Sequence, residues 1–189
     1  MLLGYLSPLA WPAWAGPSRW WWGPSTPDPA WNARWYSLAW AGWRREVRQQ
    51  AQRVRKSCHG LFLDNLDRLD SDGASLPHLR KLLQGWRAEW RNSYLLGNRG
   101  FAHLDSLAPL LDGVLIENLA DRAFSLTDQR WVEAQLERLE GMEGFEGTME
   151  VYALDYANRC DPQRAQHLCQ RYPDLRYYQA PDEGLQSLG

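Results

Sequence analysis

The chain has 189 residues, 44% of them hydrophobic and 23% charged, with a formal net charge of -2; this suits a globular domain with a sizeable core and excludes disordered and fibrous classes. The charge balance leaves no basic footprint for nucleic acid, and no apolar run approaches the roughly 18 residues of a membrane span. Cys58, Cys160 and Cys169 are odd in number without CxxC spacing, and His59, His78, His103 and His167 lie far apart, so free thiols are expected and neither a disulfide framework nor a metal.

The opening MLLGYLSPLAWPAW lacks a basic n-region, and Pro8 and Pro12 interrupt its apolar run, so it is a poor signal peptide. As written, the chain is expected in the cytoplasm; it would be secreted if the true start lies upstream. Residues 2–7, LLGYLS, read as a strand that begins almost at the initiator. Next comes a stretch from Pro8 to Trp43 with nine of the twelve tryptophans, and with eight prolines or glycines between Pro8 and Pro29. An irregular loop is expected here, its tryptophans either packed on one another or offering flat faces to sugar rings or another planar ligand.

A helical stripe of Trp43, Val47, Ala51 and Val54 precedes the apolar run GLFLDN (60–65), and a second stripe of Leu79, Leu82, Leu83, Trp86 and Trp90 precedes YLLGNRG (94–100). A helical pattern over 101–111 leads to GVLIEN (113–118). The spacing then predicts a helix over 127–139, with Thr127 as its N-cap and Trp131, Leu136 and Leu139 facing inward. VYALDY (151–156), a helix over 162–171 opened by proline, and LRYYQA (175–180) complete the chain. Six near-continuous apolar runs alternating with helices, without hairpin signals between them, argue for an α/β fold with a parallel sheet, doubly wound or closed as a (β/α) barrel.

In such folds ligands bind at the carboxyl ends of the strands. Those ends carry Tyr5 and Ser7, Asp64 with Asn65 and Asp67, Asn98 with Arg99, Glu117 with Asn118, and Asp155 with Tyr156. One aspartate after a strand is usually a turn former or helix cap, and Asp70 has that role in the DSDG loop. Three strands delivering a carboxylate to one edge suggest the paired acids of glycoside hydrolysis, one donating a proton and the other attacking or activating water. A GxSxG elbow, a P-loop and a GxGxxG turn are all missing, which argues against serine hydrolase, phosphate and dinucleotide chemistry. Clustered carboxylates could also hold magnesium, but no phosphate-binding motif accompanies them. No cofactor is expected.

GYLS, GLFLDNLD, GNRGF, DGVLIENL and VYALDY, in this order, resemble the motifs of the endo-α-1,4-polygalactosaminidase-like glycosidases, glycoside hydrolase family 114 and its relatives. The segment WYSLAWAGWRREV is similar to the tract before the family's next helix. The resemblance implies a single TIM-type (β/α) barrel domain over 1–189 that hydrolyses a galactosamine-type polysaccharide. It implies Asp64 and Glu117 as the catalytic pair, with nucleophile and acid left open. It places Tyr5, Asp67, Asn98, Arg99, Asn118, Asp155 and Tyr156 along the substrate cleft.

Two departures accompany it. Pro8-Leu9 stands where relatives often carry Gly-Glu, so one acidic cleft residue is missing. Counting back from LRYYQA as the eighth strand makes LLGYLS the third, so an N-terminally incomplete barrel of about six parallel strands is expected. A misplaced gene start, closure as an incomplete barrel, or an edge-to-edge homodimer would each accommodate this. The alternative function is a non-catalytic carbohydrate-binding or degenerate barrel protein.

Overall fold

All six apolar runs form strands, and each pairs in parallel with a neighbour, as alternation with helices requires. The computed structural model describes residues 1–182, in two units divided between Leu111 and Asp112. Each unit contributes three of the parallel strands.

The first unit runs β1 (Leu3–Leu6), β2 (Ala10–Pro12), β3 (Ser25–Asp28), β4 (Ala33–Tyr36), α1 (Ala41–Arg55), β5 (Gly60–Leu63), α2 (Leu76–Glu89), β6 (Tyr94–Asn98) and α3 (Leu104–Leu107). β5 lies between β1 and β6, with Leu6, Leu63 and Gly97 in register. α1 packs on β1 and β5 through Trp43, Val47 and Ala51, all fully buried. A Cβ added at Gly4 would lie 1.9 Å from Val54 Cγ1, so the glycine is what lets α1 lie this close to β1. In α2 the buried stripe is Leu79, Leu82, Leu83 and Trp86, while Trp90 falls just beyond the helix and is half-buried.

The stretch expected to be an irregular loop instead contains an antiparallel sheet in the order β2-β4-β3. Pro12 and Pro27 argue against strands at first sight, yet they sit in the two edge strands, where a missing N–H breaks no central ladder. Trp22, Tyr36 and Trp43 form its core, with Tyr36 stacked on Trp43 at 4.6 Å and Trp11 edge-on to Trp22 at 4.7 Å. The Trp43 indole N–H is satisfied by the Pro8 carbonyl at 2.8 Å. The helix expected over 101–111 is broken into a 3₁₀ turn, α3 and a second 3₁₀ turn that has Pro109 in its opening.

The second unit runs β7 (Gly113–Glu117), α4 (Leu126–Leu139), β8 (Glu143–Gly144), β9 (Gly147–Thr148), β10 (Glu150–Tyr156), α5 (Pro162–Arg171) and β11 (Arg176–Ala180). β10 lies between β7 and β11, and β8 and β9 make a small hairpin that the alternation gave no sign of. α5 begins at its proline as expected, capped by Asp161, which accepts from the Gln163 and Arg164 amides.

The start of α4 differs from the sequence expectation. Ser125, not Thr127, is the N-cap: its hydroxyl accepts from the Asp128 amide at 3.2 Å, and the Asp128 carboxylate accepts from the Ser125 amide at 2.9 Å, a reciprocal capping box. The inward stripe is accordingly Val132, Leu136 and Leu139, and Trp131 is half exposed. Ser125→Ala should cost about 1 kcal/mol of stability, read as a lower urea midpoint at unchanged m-value.

Among the described residues no helix is long and apolar enough to cross a membrane, and no cluster of three or more His, Cys, Asp or Glu side chains could hold a metal ion.

Candidate active site

Register determines which side chains meet at the carboxyl ends. In the first unit Ser7, Asp64 and Asn98 each stand one residue past the aligned trio Leu6, Leu63 and Gly97. Side chains alternate along a strand, so Tyr5, Phe62 and Asp64 share the less buried face, while Leu61 and Leu63 face the core. Tyr5 and Phe62 are register partners, their ring centroids 6.2 Å apart.

Asp64 is the hub of this end. Its Oδ2 accepts from the Tyr5 hydroxyl at 2.8 Å and the Asn65 side-chain amide at 3.0 Å. Its Oδ1 accepts from the Asn65 backbone N–H and the Asn98 side-chain amide, both at 2.8 Å. Asn65 Nδ2 also reaches Ser7 Oγ at 3.0 Å, so β1, β5 and β6 all contribute to holding one carboxylate. Burial, and then the neighbouring Asp64 charge, push the Tyr5 phenol far above its ordinary range. Tyr5 is 45% exposed, and its hydroxyl proton is held by the hydrogen bond to Asp64.

Four donors on two oxygens suit a group that only accepts. Donors from β1, β5 and β6 together fix the direction of this side chain at the carboxyl end of β5. Farther out, Arg99 Nη1 lies 3.5 Å from Asp67 Oδ2, both groups being partly exposed.

One backbone feature recurs in both units. The residues directly after Asp64, Asn98 and Glu117 are Asn65 (φ 62), Arg99 (φ 61) and Asn118 (φ 56), all left-handed. Asparagine tolerates this region, but arginine seldom occupies it, and such conformations gather at functional sites.

In the second unit Glu117 ends β7 and pairs with Leu154 of β10, and the Asn118 amide donates to the Leu154 carbonyl at 2.8 Å. Glu117 is half-buried. Asp155, one residue beyond Leu154, therefore points to the opposite face of the sheet from Glu117. It is only 1% exposed, which separates it from the rim where the sequence reading placed it.

Asp155 Oδ1 accepts from the Ala120 amide at 3.1 Å, and Oδ2 lies 3.7 Å from Cys160 Sγ, beside the cluster of Ala120, Cys160 and Ala165. Burial pushes the Asp155 carboxyl up, and it pushes the adjoining Cys160 thiol and Tyr177 phenol up too. Tyr156 is also buried. Asp155 thus ties down the chain that leaves Glu117 without facing solvent.

The sequence reading gave Asn65 and Ser7 no site role, although Asn65 supplies two of the four hydrogen bonds to Asp64 and Ser7 anchors its amide. The signal was present in the polar residue right after the aspartate.

No family model and no curated protein matches the chain. Solved structures do. The glycoside hydrolase domain of PelA from Pseudomonas aeruginosa superposes with a TM-score of 0.74 at 23% identity, over 99% of this chain and 80% of that one. A variant of the same domain gives 0.71. Ega3 from Aspergillus fumigatus, solved in complex with galactosamine, gives 0.67 at 15% identity, over 93% of this chain and 72% of that one. Parallel strands alternating with helices, matched over nearly the whole chain, give this protein the α/β, TIM-barrel-type fold of the PelA glycoside hydrolase domain and Ega3.

Proposed function

We propose that the protein is a glycoside hydrolase acting on a galactosamine-type polysaccharide, with Asp64 and Glu117 as its carboxylate pair. The observation that carries this reading is the four-donor cradle around Asp64, built from three strands at the end where ligands bind in this fold. Support comes from the shared fold and from the galactosamine bound to Ega3.

In this reading Asp64 is the nucleophile or general base, and Glu117 supplies the proton to the leaving oxygen. Tyr5 and Asn98 keep Asp64 aimed. A carboxylate held in this way also offers negative charge to an oxocarbenium-like transition state and to the ammonium of an amino sugar. Asp67, Arg99 and Asn118 are candidates for contacts with the polymer around this pair.

The test is release of new reducing ends from a deacetylated galactosamine polymer. Turnover by the wild-type protein that disappears in Asp64→Asn and Glu117→Gln supports the assignment. Binding of the polymer without product would leave a carbohydrate-binding protein, the reading that the exposed tryptophans favour.

A further inference from the structure

The nine tryptophans of residues 8–43 range from buried to largely exposed, and the most exposed of them, Trp20 at 89%, is set edge-on to Trp21. Trp22 and Trp43 are buried in the aromatic core. Trp14 and Trp31 are 78% and 76% exposed, and among the described residues neither indole makes a hydrogen bond or ring contact. An exposed indole has no stabilising role in the fold, and large apolar groups left in water mark interaction sites when they are grouped.

These two are grouped by the backbone. Trp14 lies in the 3₁₀ turn Ala13–Ala15 and Trp31 in the turn between β3 and β4; the Ala13 amide donates to the Asn32 carbonyl at 2.9 Å, so the two tryptophans flank a single hydrogen bond. Both turns are secured by the β2-β4-β3 sheet, with Pro12 and Asp28 each paired to Ala33. The rings are therefore mounted on ordered turns, which lowers the entropic cost of binding through them.

Tryptophan faces in this segment already hold cations, one on β4 and one in the 3₁₀ turn Trp20–Trp22. The Arg68 guanidinium lies 4.4 Å over the Trp35 ring and that of Arg19 lies 5.4 Å over Trp21. A pyranose with an ammonium group matches this chemistry twice, its apolar face stacking on the ring and its charge drawn to the ring's negative face. Asp28, the last residue of β3 before the turn that carries Trp31, adds a carboxylate whose oxygens accept from the Ala30 amide and the Trp35 indole N–H. A bilayer is a poorer match, since membrane-lying surfaces are rich in Lys and Arg; residues 8–40 hold no lysine and two arginines, Arg19 stacked on Trp21 and Arg34 bonded to Ser25 Oγ.

We infer that Trp14 and Trp31 form an accessory stacking site for a cationic amino-sugar polymer, gripping the chain outside the carboxylate site. This rests on the amino-sugar reading above but not on catalysis. Ser7, which touches the Asp64 cradle through Asn65, precedes Trp14 by seven residues, so Trp14 lies no more than about 25 Å from it, within the reach of one polymer chain.

The test is equilibrium binding of a fully deacetylated galactosamine polymer to Glu117→Gln protein, so that cleavage does not interfere, with and without Trp14→Ala/Trp31→Ala. The double substitution should weaken binding about tenfold or more with the melting temperature unchanged, and Trp14→Phe/Trp31→Phe should restore most of it. Binding should also fall when the polymer is fully N-acetylated, which removes its charge. Unchanged affinity in the double variant would overturn the inference. So would co-sedimentation with anionic phosphatidylserine vesicles, or a concentration-dependent dimer, that is lost in the double variant while polymer binding is kept. A protein that binds polymer through these rings but never cleaves it would refute the hydrolase assignment and leave this site standing.

Discussion

Glu117→Gln is expected to lower kcat on the polymer about 10²–10⁴-fold, the usual loss when a general acid is removed, with the fold retained. Asp64→Asn should lose at least as much, but through a different group, and the two can be told apart. A substrate with an activated aryl leaving group needs no proton from an acid, so Glu117→Gln should recover much of its rate on that substrate and Asp64→Asn should not. The opposite pattern would exchange the two roles, and wild-type rates in either variant would sink the pair. Asp64→Asn also carries a structural cost that Glu117→Gln need not share. Whichever oxygen becomes an amide will face two donors, either Tyr5 and Asn65 Nδ2 or the Asn65 amide and Asn98. Each donor left unsatisfied costs about 1–3 kcal/mol where it is buried. Activity of Asp64→Asn must therefore be measured below its own, lowered melting temperature, with Asp64→Ala as a second reference.

Much of this arrangement was legible in the sequence because it is local. GLFLDN and GVLIEN announce strands by their apolar runs, and the polar residue that ends each run sits at the strand end where it was expected. What could not be read is what depends on partners far along the chain. Tyr5 is 59 residues from Asp64 and Asn98 is 34 away, so the number of donors on Asp64 is a product of register. The β2-β4-β3 sheet was hidden because Pro12 and Pro27 look like strand breakers until the strands that hold them prove to be edges. Asp155 was misleading for a similar reason. VYALDY places it just like the aspartate of GLFLDN, but β10 pairs with β7 so that Leu154, not Asp155, is level with Glu117. A shift of one residue moves a side chain to the other face of a sheet, and no local pattern records it.

Asp155 consequently makes an expectation of its own. Asp155→Ala removes the acceptor of the buried Ala120 amide and should cost about 1–3 kcal/mol for that donor alone, before any loss of packing. It should also speed hydrogen exchange at Ala120, on the segment leaving Glu117. Asp155→Asn keeps an acceptor in the same place and should behave differently, in a way that depends on pH. Burial, the largest influence, raises the Asp155 carboxyl in the folded protein above its unfolded value. The native state therefore holds this proton to higher pH than the unfolded chain does. Its stabilising effect is complete below the unfolded carboxyl range, near pH 4, and is lost as pH rises through the folded value. Asparagine has no such proton to lose. The stability difference between Asp155→Asn and wild type should thus move in favour of the variant from pH 4 upward and level off once the wild-type carboxyl has ionised. Urea midpoints measured across this range decide the point. A difference that stays flat with pH, together with a raised KM for a cationic polymer, would mean that Asp155 acts as a charge toward substrate and not as a buried tie on the Glu117 loop.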